Sequence, residues 1–363
     1  MALTVSYPGV YAEEGASLAL SIYSSPTAVP AIVVEDNDNL VDAAGECLRI
    51  NSWFDYIEKL NLRFGPGYSL SFDATVNGRR DTNVRAYFEN GGGYCYLVTP
   101  DHANQTIPRC SDITVIAPAQ NNSHGWVSMG TLCQPGTGRF GIIDGPQTEI
   151  TSSFVPNWAS NPCTAVYYPY LKASWSPNEI SPGVVAAGIY CAVDRNRGVW
   201  KAPANVYLPA NYQPLFKVTD DLQGQFNQGL AINMIRKFDG QGAILWGART
   251  LEDSDKWRYI PVRRLFDSVE RDIKEALQKM VFESNNQPTW EKVRSAINNY
   301  LYGLWRAGAL MGATEKDAYF VQIGEGITMN SDDIAQGKMI VKVGMAATRP
   351  AEFIILRFTQ NVG

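Results

Sequence analysis

Apolar positions along this chain change rhythm near residue 195. Upstream, short apolar runs alternate with clusters of Gly, Pro, Asn and Ser. The runs at 31–35, 94–99, 113–117, 140–144 and 165–168 are rich in Val, Ile and aromatic residues, and several have no polar face. That pattern predicts short strands, some buried on both sides. Segments 52–62 and 82–90 read as short helices. The second ends at Gly91-Gly92-Gly93, because glycine accepts a left-handed helix cap without strain. A strand follows at once, so an αβ unit is expected there.

Downstream the helical period takes over. Val262, Leu265, Phe266, Val269, Ile273, Ala276, Leu277, Met280 and Val281 fall on one face of a helix over 262–281. Its other face carries Asp267/Arg271, Glu270/Lys274 and Glu275/Lys279, each acidic before basic at i,i+4. A second helix is expected over 289–307, with Thr289 as its N-cap. Trp290, Val293, Ile297, Tyr300, Leu301 and Leu304 form its stripe, and Gly308 ends it. A strand at 319–323, a helical turn at 331–337, and strands at 338–347 and 350–360 follow. The last is apolar on both faces through Phe353, Ile354, Ile355 and Leu356. Such a strand needs a partner on each edge. The first residues pose the same question, since Pro8 holds the stretch from Leu3 to Tyr11 extended. The whole reads as an α/β (α+β mixed) chain, and 363 residues predict two domains.

Composition narrows the function. Aromatic residues make up 11%, enough to supply buried area and to argue against disorder. The net charge of −5 disfavours nucleic acid or an anionic membrane as a main partner. No apolar run approaches the roughly 20 residues of a membrane span. Residues 1–8 lack the basic and apolar regions of a signal peptide, so synthesis in a bacterial cytoplasm is expected. The six cysteines form no CxxC pair, and the two histidines are His102 and His124. Free buried thiols are therefore expected, with no metal and no cofactor.

No catalytic residues are expected either. Gly136-Thr137-Gly138-Arg139-Phe140-Gly141 fits GxGxxG, but it precedes an apolar strand instead of opening a helix, so it reads as a turn. His102 and His124 lie in polar stretches that read as loops. Neither has a nucleophile elbow beside it, which leaves a histidine hydrolase only formally open. Glu35 to Asp42 is an acidic turn with the wrong spacing for a calcium loop. Arg258, Arg263, Arg264 and Arg271 lie among Glu252, Asp253, Asp255, Asp267 and Glu270. Mixed signs of that kind point to ion pairing within or between subunits, not phosphate binding.

Longer stretches carry a resemblance. They are Tyr7-Pro8-Gly9-Val10-Tyr11, Arg197-Gly198-Val199-Trp200-Lys201-Ala202-Pro203-Ala204-Asn205 and Gly247-Ala248-Arg249-Thr250-Leu251. Asn227-Gln228-Gly229 through Asn233-Met234-Ile235-Arg236 belongs with them. So do Trp257-Arg258-Tyr259-Ile260-Pro261-Val262-Arg263-Arg264-Leu265-Phe266 and Pro350-Ala351-Glu352-Phe353-Ile354-Ile355. With these motifs the sequence resembles tail sheath proteins of contractile machines, and most of all the main sheath proteins of the antifeeding prophage and Photorhabdus virulence cassette type. Ala12, where relatives carry a larger β-former, is a departure within the arm.

The resemblance implies a non-enzymatic subunit that polymerises helically around an inner tube and contracts to drive it through a target membrane. The implied partners are other copies of itself, the inner tube protein, and baseplate and terminal cap proteins, within a released extracellular particle or a virion tail. Neither nucleic acid binding nor direct membrane insertion is implied. A minor or baseplate-proximal paralogue, or a phage tail sheath, is the alternative. The implied organisation is an N-terminal linking arm (1–20), an inserted outer domain (21–191), a conserved inner domain (192–346) and a C-terminal linking strand (347–363). Val5, Tyr7, Pro8, Val10 and Tyr11 would form one inter-subunit arm, and Phe353, Ile354, Ile355, Leu356 and Phe358 the other. Lys292, Arg294 and Arg306, outside the apolar stripe of their helix, are the expected tube-facing residues.

Overall fold

The computed structural model describes residues 20–37, 39–41, 47–68, 70, 72–119 and 129–353. The apolar runs become strands. β1 (Pro30–Val33), β2 (Leu48–Ile50), β3 (Cys95–Val98), β4 (Val115–Pro118), β5 (Phe140–Asp144) and β6 (Thr164–Tyr168) join one sheet. β9 (Val206–Tyr207), β11 (Ile232–Lys237) and β12 (Ala243–Trp246) complete it in the order β2-β3-β1-β4-β5-β6-β11-β12-β9. From β3 to β11 the neighbours are parallel, and the two outer ends are antiparallel. Side chains alternate across it. Ile32, Leu97, Phe140, Ile142 and Tyr167 point into one core, and Ala31, Val98, Ile143, Val166 and Tyr168 into another. Both faces are covered, which is why these runs lack a polar side. A small sheet of β7 (Leu171–Ala173), β8 (Ser176–Ile180) and β10 (Tyr212–Pro214) flanks it in the order β10-β7-β8.

Helices α1 (Trp53–Phe64), α2 (Val76–Glu89) and α4 (Pro182–Arg197) bury residues in the first core, and α3 (Pro100–Thr106) in the second. The expected helix at 82–90 begins earlier. Thr75 caps it by accepting the Gly78 N–H at 3.1 Å, ahead of a polar first turn that has no apolar stripe to announce it. α4 carries no amphipathic signal because it is apolar nearly all round and buried nearly all round. Ser181 caps it, with Pro182 in its first turn. α2 and α4 touch through glycine: a Cβ on Gly188 would lie 2.5 Å from the Tyr87 carbonyl oxygen, and one on Gly91 would lie 2.8 Å from the Ala192 methyl. The expected boundary between residues 191 and 192 falls within α4, and the sheet draws strands from both sides of it.

A third core holds the remainder. α6 (Ile260–Gln278) and α7 (Gln287–Arg306) pack their stripes together through Leu265, Val269, Val293, Ile297 and Leu301. α5 (Asp220–Gln225) precedes them, beside the large sheet. α6 ends three residues before the expected residue 281. Met280 is still buried, whereas Val281 is exposed and Phe282 turns the chain with φ +73°. Asn286, not Thr289, caps α7, accepting the Thr289 N–H at 3.3 Å. α8 (Glu315–Ala318) leads into β13 (Tyr319–Gln322). α9 (Ser331–Ala335) precedes β14 (Lys342–Met345), which pairs antiparallel with β13. Tyr319 and Val321 face the third core on this ribbon, and Phe320 lies on its outer side across from Gly344.

Candidate inter-subunit linking site

The chain enters and leaves the described structure at two anchored points. Residues 25–27 lie against the face of α6 presented by positions 264, 268, 271, 272 and 275, a 3–4 spacing. The Ser25 N–H donates to Asp272 Oδ1 at 3.2 Å and its hydroxyl to Glu275 at 3.3 Å. Arg271 donates to the Pro26 carbonyl at 2.9 Å, and Arg264 to the Thr27 carbonyl at 3.1 Å. The Thr27 hydroxyl donates to Asp194 Oδ2 at 2.6 Å. Arg264 grips the same carboxylate with two bonds of 3.1 and 2.6 Å, and its guanidinium lies 4.6 Å from the centre of the Tyr190 ring. The two side chains are 3% and 5% exposed, so their attraction acts in a dry interior. Burial pulls the Arg264 pKa down, and the Asp194 carboxylate more than offsets it, leaving it raised. Tyr300 donates to Asp272 at 2.7 Å from α7; burial and that carboxylate push its hydroxyl pKa up, so it stays a donor.

The other anchor lies just before the chain leaves. Arg249 Nε donates to both Glu352 oxygens at 3.1 and 3.0 Å, and its terminal nitrogen reaches Oε2 at 2.6 Å. A second terminal nitrogen donates to the Asn227 carbonyl. This forked pair is the strong form of a charge-assisted bond, and it is mostly buried. Tyr259, bridged to Arg249 through the backbone, adds its hydroxyl at 3.4 Å from Glu352. One residue beyond Glu352, Phe353 is 71% exposed.

Of the expected arm residues, Phe353 alone is described. Val5, Tyr7, Pro8, Val10, Tyr11, Ile354, Ile355, Leu356 and Phe358 lie outside the described residues. On α7 the three expected cations differ. Arg294 is held within the chain by Glu291 at 2.6 Å and by the Ile323 carbonyl. Lys292 is half-buried and Arg306 exposed, and neither has an ion-pair partner among the described residues.

The dense charge cluster pairs inside the chain. Arg258 meets Asp253 and Asp255, Arg263 meets Asp267, and Arg264 meets Asp194. Asp267 thus turns back to Arg263 instead of forward to Arg271, because Arg271 reaches across to the Pro26 carbonyl; Glu270 and Lys274 pair as spaced, at 2.7 Å. Asp36 of the acidic turn is likewise engaged, by Arg80 at 2.7 Å and the Val41 N–H at 2.7 Å.

His102 sits in the first turn of α3, not in a loop, with Nδ1 3.0 Å from the Thr99 hydroxyl; His124 is outside the described residues. Gly136 and Gly138 have φ +88° and +69° in a turn before β5, as the reversed context of the glycine motif predicts. The six cysteines are free thiols, with Cys47 and Cys110 half-buried and the others buried.

Sequence reasoning missed Thr27, Asp194, Arg249, Asp272 and Glu352. Two of them stand inside quoted motifs, as lone charges in Gly247–Leu251 and Pro350–Ile355. Two lone charges 103 residues apart carry no information about their distance.

Comparison with known proteins gives this geometry a context. Residues 252–361 match the family profile described as the phage tail sheath C-terminal domain. A curated tail sheath protein of Vibrio phage KVP40 is 27% identical over 128 residues, which are 34% of this chain and 19% of that protein. A sheath tail protein from Desulfitobacterium hafniense shares the fold alone, at 11% identity and a TM-score of 0.60. The sheath of the anti-feeding prophage in its contracted state is 41% identical, over 99% of this chain and 100% of that one, with a TM-score of 0.79. The sheath of the extracellular contractile injection system PVC, also contracted, is 52% identical over 99% of each chain, with a TM-score of 0.87. Identity of that depth along the full length settles the kinship: the chain belongs to the sheath proteins of contractile injection systems.

Proposed function

We propose that this chain is the repeating, non-enzymatic unit of a sleeve that polymerises helically around an inner tube, is joined copy to copy by its two arms, and shortens to drive the tube through a target membrane. One observation carries the linking part. β13 and β14 form a sheet of only two strands; residues 309–311 bridge β14's continuation at 346–348, and no third strand runs along Tyr319–Gln322 or Lys342–Met345 among the described residues. A two-stranded ribbon is marginal by itself, and its open edges are templates for strand addition. Arms from neighbouring copies, 1–20 and 354–363, are the proposed added strands. Each bond formed contributes about 1 kcal/mol net, and each large apolar side chain buried about 1.5–3 kcal/mol. A head-to-tail contact whose rotation does not close on itself builds a helical polymer, which is the assembly proposed.

In this reading the sheet body faces outward and the third core, with its ribbon, faces the tube. The division between them follows the cores, with the sheet body reaching β12. Baseplate and cap proteins meet the sleeve at its ends, and the whole leaves the producing cell as part of a particle.

Deleting 1–12, or 354–363 so that Glu352 stays in place, is expected to leave a folded, soluble chain that forms no tubes by electron microscopy. Tubes that persist after either deletion would overturn the linking reading. Lys292 and Arg306, being uncommitted, are the better tube contacts. Reversing both charges is expected to reduce co-assembly with the inner tube and leave thermal unfolding unchanged; undiminished co-assembly refutes that assignment.

A further inference from the structure

Both arm anchors bear on one helix. The N-terminal arm root, Ser25 to Thr27, is held by Arg264, Arg271, Asp272 and Glu275 of α6. The C-terminal arm root, Glu352, is held by Arg249 and by Tyr259, the residue that caps α6 at its start. Around that start the Ile260 N–H donates to the Ala248 carbonyl at 3.0 Å, and the Thr250 N–H to the Arg258 carbonyl at 2.9 Å, so Arg249 cannot shift without the helix. From Tyr259 to Asp272 the helix spans about 20 Å at 1.5 Å per residue.

We infer that α6 is a tie between the two arms, so that a pull arriving through one arm reaches the other along this helix and bypasses most of the nine-stranded sheet. The inference rests on the linking reading above and deepens it. Its physical basis is the quality of the end fittings. Each root is fixed by several bonds to buried or half-buried charged groups, and such bonds are short and directional. Helix hydrogen bonds run along the axis of the load, and the apolar stripe of α6 is held in the third core, which keeps it from buckling outward. Thr27 and Arg249 are thus positioning residues: they act on the neighbour only through the arms whose direction they set.

Hydrogen exchange on the full chain, free and polymerised, tests the tie. Polymerisation is expected to slow exchange of the 260–278 amides at least tenfold relative to the free chain, with a smaller gain in 232–246 of the sheet. Glu352→Gln and Thr27→Val each weaken one root; the free chain is expected to melt somewhat lower but to exchange its 260–278 amides as before, whereas the α6 gain on polymerisation is expected to be abolished. A merely structural role would instead speed exchange of 260–278 in the free chain. A gain that survives both variants, or that appears first in the sheet, overturns the tie. If Glu352→Gln fails to polymerise, Glu352→Asp, which restores the charge, must bring back polymer and α6 protection together; polymer without that protection also overturns it. Failure of the linking reading is distinguished by the 354–363 deletion: tubes that form without this arm remove the load itself, whatever α6 does.

Discussion

The ion pair of Arg264 and Asp194 offers a sharp stability experiment. Asp194→Ala removes both acceptors of the Arg264 fork and the acceptor of the Thr27 hydroxyl, within a site almost closed to water. Breaking a buried pair by deleting one partner costs about 3–5 kcal/mol, because the remaining charge is stranded; the lost Thr27 bond adds about 1 kcal/mol. With a urea slope of about 3 kcal/mol per molar, the expected loss of about 5 kcal/mol lowers the unfolding midpoint by about 1.7 M. Tryptophan fluorescence can follow it, since Trp200 and Trp257 pack against the third core. The double variant Asp194→Ala/Arg264→Met removes the stranded charge and replaces it with apolar volume. It is expected to recover most of the loss, because a buried pair and a packed apolar pair differ little in net stability. A single-variant loss below about 1 kcal/mol, or a double variant no better than the single, would refute the claim that charge stranding dominates at this seam.

Two further outcomes follow from the sheet body. Asp144 accepts bonds from the Ser181 hydroxyl at 2.8 Å, the Gly183 N–H at 2.7 Å and the Tyr170 hydroxyl at 3.1 Å; burial nonetheless pushes its pKa up to about 7, against the downward pull of those donors. The folded chain therefore binds this proton more tightly than the unfolded chain, so its contribution is full below about pH 4 and is lost as pH rises toward 7, with a slope of at most about 1.4 kcal/mol per unit. Asp144→Asn should flatten the melting temperature over that range, and an unchanged slope refutes the assignment. Gly188→Ala should lower stability by about 1–3 kcal/mol, because its methyl meets the Tyr87 carbonyl, which belongs to backbone and cannot rotate aside; a neutral result in urea unfolding would count against the close contact.

What the sequence makes legible depends on whether the information is local. Phe140–Asp144 is foreseen to the residue because an apolar run bounded by turn residues has one reading. α6 and α7 are foreseen because one face of each is apolar and the other is not. α4 is missed for the opposite reason: Val184, Val185, Ala186, Ala187, Ile189 and Tyr190 are all buried, so periodicity has no contrast to detect. Both the change of texture near residue 195 and the boundary at 191/192 implied by the resemblance fall inside that unseen helix. The charge cluster around Arg258 to Arg271 is correctly read as paired, yet the pairings that hold the arm roots span 70 and 103 residues and follow only from the fold. Long motifs carry the family resemblance, whereas the residues that anchor the two ends of the described chain need coordinates.

The glycine contact between α2 and α4 has a consequence for how the whole sleeve deforms. Two helices separated by side chains can slide, because rotamers adjust as ridges pass. At Gly188 and Gly91 there is no side chain to yield, only backbone against backbone or against a methyl. The block formed by α2, α4 and the sheet beneath is therefore stiff in shear, as close-packed interiors are. A stiff block stores little elastic energy and dissipates little when the sleeve changes length. Work released by repacking between copies can then appear as motion of whole subunits instead of warming their interiors.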